Sequence, residues 1–266
     1  MIDKRSKELR KTVVDIIAIE RRGHLGPAMS SIDILRVLYD DFLNYRVEDP
    51  DWDKRDRFIL SKGHGCLSLY AVLADKGFFP KKNLLTFCKS ESIFGGHPER
   101  GKIPGVEAST GSLGHGLPIG VGMALAAKIR KESHRIVVLV GDGEINEGSV
   151  WEAALSAAKH KLSNLTMFID YNKLQSYGPN AEILNLEPLA DKWKSFGFSV
   201  EEIDGHNIEE LRILMKTIPL DKSKPTAVIC HTVKGKGFHF AEGKTEWHHK
   251  SKISDDQLDE MYQCLR

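Results

Sequence analysis

Apolar positions recur along this chain with two different periods. Between Lys4 and Arg21, Val13, Ile16, Ile17 and Ile19 stand among charged residues at helical spacing, which predicts a first helix. Short unbroken apolar runs come later: DRFILS (56–61), RIVVLV (135–140), LTMFID (165–170) and TAVICHTV (226–233), with a further one from Phe198 to Ile203. Runs of that length bounded by turn residues predict buried strands. Helical patterns separate them. After the glycine-rich break RRGHLGPAMS, an amphipathic helix is expected to start at Ser31 or Asp33 and to run through Tyr39 and Phe42. Others are expected from Leu67 to Lys76, in a short segment capped by Asn83, in the small-residue stretch GVGMALAAKIRK, from Gly148 or Ser149, from a cap near Asn207, and from Ser254. Residues 91–116 read as one long loop, a feature that is functional or disordered inside a compact domain. Strands alternating with helices predict an α/β fold, a parallel sheet covered by helices on both faces, in a single domain over residues 1–266.

In such sheets ligands bind beyond the carboxyl ends of the strands. His64 follows the first run, Asp142 the second, Asn172 the third and Lys234 the last, so four polar groups are expected at one site. Asp142 lies between two glycines, which lets the backbone turn sharply and approach a ligand. The helix expected just after it directs its positive end to the same region. A carboxylate, an amide oxygen and backbone carbonyls are hard ligands that suit Mg²⁺ or Ca²⁺. Mg²⁺ is seldom caged by protein alone and usually bridges to phosphates, so the pair predicts a metal-bridged phosphate or diphosphate. A lone Gly-Asp-Gly is a common turn. With an Asn thirty positions on, the spacing is one βαβ unit, which can bring the two side chains together.

Composition narrows the class without choosing the chemistry. The 266 residues are 41% hydrophobic and 28% charged, with a net charge of +1, values of a globular protein rather than a dedicated binder of nucleic acid or acidic membranes. The charged N-terminus lacks a signal peptide's apolar core, and no run reaches transmembrane length. Cys66, Cys88, Cys230 and Cys264 are scattered without CxxC spacing and are expected to be free thiols, in keeping with a cytoplasmic location.

The motifs around the Asp–Asn pair are more specific. RGHLG (22–26), LSKGHG (60–65), GGHPE (95–99), TGSLGHG (110–116), GDGEINEGSVWEA, DYNKLQSYG, HTVKGKG (231–237) and EWHHK (246–250) together resemble transketolase, in the family's order and over nearly the whole chain. The resemblance covers only the thiamine-diphosphate-binding portion, so the chain looks like the N-terminal subunit of a split transketolase. It implies thiamine diphosphate and a divalent metal, Mg²⁺ or Ca²⁺, as cofactors. It implies transfer of a two-carbon ketol unit from a ketose, expected to be phosphorylated, to an aldose.

By this resemblance Asp142, Asn172 and the Leu174 carbonyl are the metal ligands, and the Gly143 N–H faces the diphosphate. Lys62, His64, Lys234 and His248 match positions around the diphosphate or thiazolium ring, and Gly111 and Leu113 match residues packed on the cofactor. His24, His64, His97 and His248 match the substrate channel, where imidazoles can exchange hydroxyl protons and steady alkoxide charge. His134, His160 and His206 are expected at the surface. Glu147 matches an acid near the cofactor in a carboxylate network at a dimer interface, which Glu152 could join. His115 and His249 depart from the family, which often has Gln and Gly there, and they bear on substrate choice.

The family's second domain, which grips the aminopyrimidine, is absent from this sequence. The resemblance therefore implies a partner chain carrying the pyrimidine-binding domain, an α₂β₂ assembly and no activity alone. The loop around Ile103 and Pro104 and the helix 120–127 are expected to border the open half of the cofactor cleft. Competing readings are a subunit like deoxyxylulose-phosphate synthase or a 2-oxo acid dehydrogenase α chain, and a non-catalytic half that only binds a partner.

Overall fold

A computed structural model describes residues 2–266 and contains one wholly parallel five-stranded sheet. Its strands are β1 (Arg57–Leu60), β2 (Ile136–Gly141), β3 (Leu165–Tyr171), β4 (Ser199–Asp204) and β5 (Thr226–His231), in the order β1-β2-β3-β5-β4. The apolar runs are unbroken because both faces of the inner strands are buried. Val137, Leu139, Phe168, Val228 and Cys230 point into one core, and Ile136, Val138, Val140, Met167, Ile169 and Ile229 into the other. Helices α1 (Lys4–Glu20), α2 (Leu25–Val37), α3 (Cys66–Lys76), α8 (Ile208–Met215) and α9 (Asp255–Cys264) supply the first core. Helices α4 (Gly116–Arg130), α5 (Gly148–Lys159) and α7 (Leu189–Ser195) supply the second. The expected α/β sandwich is thus present. The edge strand β4 carries Glu201, Glu202 and Asp204, charges that discourage edge-to-edge pairing.

Several boundaries differ from the sequence expectation. Helix α2 starts at Leu25, not at Ser31 or Asp33, and all thirteen of its residues are buried. A helix buried all round shows no polar face for periodicity to reveal. Pro27 lies in its first turn, where a missing N–H costs little. The Gly-rich segment is therefore the beginning of a helix, with His24 as the residue before it. Asn83 lies inside a 3₁₀ stretch, Lys81–Thr86, rather than capping a helix. Two short helices, α6 (Asn180–Ile183) and α7, had no distinct sequence signal. Where caps were expected at Asn207 and Ser254 they are present: Asn207 accepts from the Glu210 N–H at 3.2 Å, and Ser254 forms a reciprocal capping box with Gln257.

Helix α4 lies close on the sheet: a Cβ at Gly120 would stand 2.6 Å from Val138 Cγ2. The helix thus covers the sheet. Ile103 is buried in the first core, and with Pro104, Arg55 and Glu107 it lines a separate pocket of about 260 Å³. Neither feature borders the strand-end cleft, contrary to expectation.

Candidate active site at the strand ends

Beyond the carboxyl ends of β1, β2, β3 and β5 lies a cleft of about 390 Å³. All thirteen residues singled out from the sequence line it: His24, Lys62, His64, His97, Gly111, Leu113, Asp142, Gly143, Glu147, Asn172, Leu174, Lys234 and His248. They come from the start of α2, the 3₁₀ turn after β1, the long loop, the turn after β2, the loop after β3, the turn after β5 and, for His248, the end of the 3₁₀ turn Thr245–Trp247. Register brings them together. Gly141 of β2 stands opposite Asp170 of β3, and Tyr171 opposite His231 of β5, so the three turns leave the sheet at one level.

Asp142 is buried at the floor of the cleft. Its carboxylate accepts only backbone donors, from Gly143 at 2.7 Å and Lys173 at 2.5 Å. Burial raises its proton affinity and the neighbouring Asp170 charge raises it further. Asn172 Oδ1 accepts from the Leu174 N–H at 3.1 Å. The expected Gly143 N–H donor is thus engaged with Asp142 here.

Two lysines that could have been solvated surface charges are instead buried. Lys234 Nζ donates to the carbonyls of Leu174 at 2.6 Å and Gln175 at 3.3 Å, and lies 3.0 Å from His248 Nδ1. Its three donors are therefore directed into the cleft's own wall, and burial lowers its pKa. Lys62 Nζ reaches the Pro27 carbonyl at 2.9 Å and pairs with Asp170. It anchors the cleft floor.

The histidines form one layer. His24 lies 5.4 Å from His64, 5.7 Å from His248 and 6.5 Å from His97, measured between ring centroids. His249, which departs from the family pattern, joins them at 4.6 Å from His24. Burial pushes His24 down to about 4, with His249 and His97 adding to the effect. Burial and then Lys234 push His248 down to about 3, and burial and Lys62 lower His64. These three imidazoles are neutral at pH 7, able to accept one proton and donate another. His97 stands exposed at the rim. Its ring fits against Gly111, where a Cβ would approach His97 Cδ2 to 2.9 Å; Gly111 has φ +155°, so any side chain there would be strained as well as crowded.

Glu147 is exposed at the cleft edge just before α5, and Glu152 is exposed on α5. The buried acid of that motif is Glu144, which sequence reasoning missed. It accepts from Ser61 Oγ, from the Gly114 N–H at 2.9 Å and from the Gly141 N–H at 3.0 Å, tying the long loop to the ends of β1 and β2. Asp170 was also missed; it takes Lys62, Ser30 Oγ at 2.5 Å and Thr232 Oγ1. A signal existed: an acid ending an apolar strand is buried and must be paired. His134 and His206, expected at the surface, have side chains only 8% and 11% exposed, and His160 is half-buried. His115 is exposed and turns back to the Leu113 carbonyl at 3.0 Å, outside the cleft lining.

The donor set fits a divalent metal bridging to phosphate oxygens. Among the described residues no group of three or more His, Cys, Asp or Glu is placed to hold an ion, so protein ligands alone would not suffice. Asp142 lacks a cationic partner of its own, and an ammonium already rests on the Leu174 carbonyl, showing that this oxygen draws positive charge. Gln175 Nε2 is buried without a partner in the cleft wall, its Cγ only 2.9 Å from where a Cβ on Gly143 would lie. Donor and acceptor capacity is left over on the side where a diphosphate and its metal would enter.

Comparison with known proteins agrees with this geometry. Residues 2–265 match the family described as "Transketolase, thiamine diphosphate binding domain". The chain is 44% identical over 256 residues to an apulose-4-phosphate transketolase subunit from Actinobacillus succinogenes, covering 96% of this chain and 92% of that one. It is 40% identical over 248 residues to the 6-deoxy-6-sulfo-D-fructose transketolase subunit SqwG of a Clostridium species, covering 93% and 90%. Among solved structures, a transketolase variant from Pichia stipitis superposes with a TM-score of 0.90 at 28% identity, over 98% of this chain but only 40% of that longer one.

Proposed function

Since the chain belongs to the transketolase family, as its thiamine-diphosphate-binding domain, we propose that it is the N-terminal subunit of a two-chain transketolase that moves a two-carbon ketol unit from a phosphorylated ketose to an aldose. The observation that supports this best is the single cleft that gathers all the family-matched residues around a buried Asp142 whose only direct partners are backbone N–H groups. Relatives of similar length are named as transketolase subunits, which supports a partner chain. No helix of the described residues is long and apolar enough to cross a membrane, and all four cysteines are free; both fit a cytoplasmic enzyme.

Thiamine diphosphate, when bound, supplies the carbanion chemistry that breaks and re-forms the carbon–carbon bond. The chain's own residues do the rest. Asp142, Asn172 and the Leu174 carbonyl would hold Mg²⁺ at the diphosphate, and Lys234, which here lies on that carbonyl, would supply a point charge to phosphate oxygen. Gly143 and Leu113 would border the diphosphate and the ring, and Lys62 would keep the floor rigid through Asp170. Glu147, at the cleft edge, would face a neighbouring subunit rather than the diphosphate. Neutral His24, His64 and His248 can take a hydroxyl proton from the donor or steady an alkoxide by N–H donation. His97, exposed at the rim, would meet the sugar rather than the cofactor.

We assign the pyrimidine-binding wall to the partner chain, in an α₂β₂ assembly with closed symmetry. The test is co-expression with a chain carrying that wall, followed by a screen of ketose phosphates for two-carbon transfer. No transfer from any ketose, with thiamine diphosphate bound, would overturn the reading. In the active complex, His97→Ala should keep the cofactor and lose about 10²–10⁴-fold in kcat/KM; wild-type kinetics would make His97 a bystander.

A further inference from the structure

Lys234 reaches the cleft from a turn whose backbone is gripped on several sides. Thr232 N–H donates to the Tyr171 carbonyl at 3.1 Å, and Gly235 N–H to the Gly26 carbonyl at 3.2 Å. Between them, the Val233 N–H finds its acceptor in a side chain, His206 Nε2, at 2.9 Å. His206 belongs to the tail of β4, drawn against β5 because residue 205 is glycine: a Cβ there would approach Thr232 Cγ2 to 2.5 Å.

The His206 tautomer is fixed from its other side. Nδ1 lies 2.8 Å from Asp33 Oδ2. Asp33 is buried on α2 and also takes Arg10 through two bonds, at 2.9 and 2.6 Å, and Ser6 Oγ at 2.8 Å. Burial opposes its charge, but Arg10 and His206 outweigh that and hold the carboxyl below the ordinary range. An ionised Asp33 can only accept, so the ring proton sits on Nδ1 and the lone pair on Nε2 faces Val233. Arg10, fully buried, donates its Nε–H to the Lys236 carbonyl at 3.0 Å. One carboxylate thus orients two side chains that hold the chain on either side of Lys234. The arrangement parallels a carboxylate that orients a metal-bound imidazole, except that here the imidazole holds a backbone amide.

We propose that His206, oriented by the Asp33–Arg10 pair, is a positioning residue that sets where Lys234 stands, and through Lys234 the affinity for thiamine diphosphate. This rests on the functional reading above. His206 lies on the far side of the turn from the cleft and is absent from its lining. It touches no group that could meet the substrate.

Two substitutions separate positioning from simple packing. In His206→Asn the amide reaches the place of Nδ1 and keeps the Asp33 bond, but leaves the Val233 N–H without an acceptor. In His206→Gln the amide oxygen reaches the place of Nε2 and keeps that acceptor. Three quantities are measured: hydrogen exchange of the Val233 amide in the isolated chain, thiamine-diphosphate Kd at fixed Mg²⁺ by calorimetry on the two-chain complex, and kcat at saturating cofactor. H206N should speed Val233 exchange, weaken cofactor binding about tenfold and leave kcat within about twofold. H206Q should restore affinity to within about twofold of wild type. Equal affinity in H206N and wild type overturns the proposal, as does an equal loss in both variants. An H206N chain that fails to fold overturns it too, because His206 would then be structural. A wild-type complex that does not bind thiamine diphosphate overturns the functional reading and this proposal with it; normal wild-type binding and an unaffected H206N overturn this proposal alone.

Discussion

Asp142 and Asp170 are neighbours in space with opposite surroundings. The Asp142 N–H donates to the Asp170 carbonyl at 3.3 Å, and both side chains are buried. Asp170 is enclosed by its own partners: the Lys62 ammonium and the hydroxyls of Ser30 and Thr232. Burial opposes its charge, yet Lys62 and the hydroxyls together keep its carboxyl below the usual value. Asp142 has only two backbone N–H donors, and its proton affinity is raised. A buried carboxylate with a matched cation is part of the fold. One that no cation pairs with directly, facing a cleft, is a candidate site for a ligand that brings one. The difference separates scaffold from site within a few ångströms, and substitutions at the two positions should have opposite consequences.

The largest effect is expected at the open carboxylate. Asp142→Ala should abolish thiamine-diphosphate binding to the assembled enzyme at ordinary Mg²⁺ while leaving the chain folded. Calorimetry that finds unchanged cofactor affinity would remove Asp142 from the metal site. At the enclosed carboxylate the loss should be in the fold. Asp170→Ala leaves Lys62 buried and unpaired, and breaking such a pair costs about 3–5 kcal/mol. Urea denaturation of the isolated chain should show that loss for Asp170→Ala and little change for Asp142→Ala. Similar stabilities for the two variants would erase the contrast.

A smaller effect concerns pH. His24 titrates near 4 in the folded chain, below its ordinary 6.5. Between those values the unfolded chain binds the proton that the folded chain excludes, so stability falls as pH drops through that window. The thermal midpoint of the isolated chain should therefore decline from pH 7 to pH 5, and His24→Asn should flatten the slope. An identical slope in the variant would show that His24 is solvated and not confined in the layer.

The fold was legible because its strands are long apolar runs between helical segments, and because the polar residue just past each run marks a strand end. That is why the sequence alone points His64, Asp142, Asn172 and Lys234 to one cleft. What the sequence does not reveal is the pairing of polar residues inside apolar context. Asp170 sits within the last residues of a strand pattern, Glu144 beside a second acid of the same motif, Glu147, and His206 within an ordinary-looking turn. Their roles depend on partners distant in sequence, with Lys62 108 positions from Asp170 and Asp33 173 from His206. No local pattern carries such pairings. The start of helix α2 is hidden for the complementary reason: complete burial removes the polar face by which a helix is recognised.

In the proposed enzyme this chain holds the diphosphate end of a cofactor whose other end belongs to a second chain. Thiamine-diphosphate titration and two-carbon-transfer assays on the purified chain, with and without the pyrimidine-domain partner, test it most directly. Weak or absent binding and no turnover are expected for the chain alone, and tight binding with turnover in an α₂β₂ complex. Full transketolase activity from this chain by itself would contradict it.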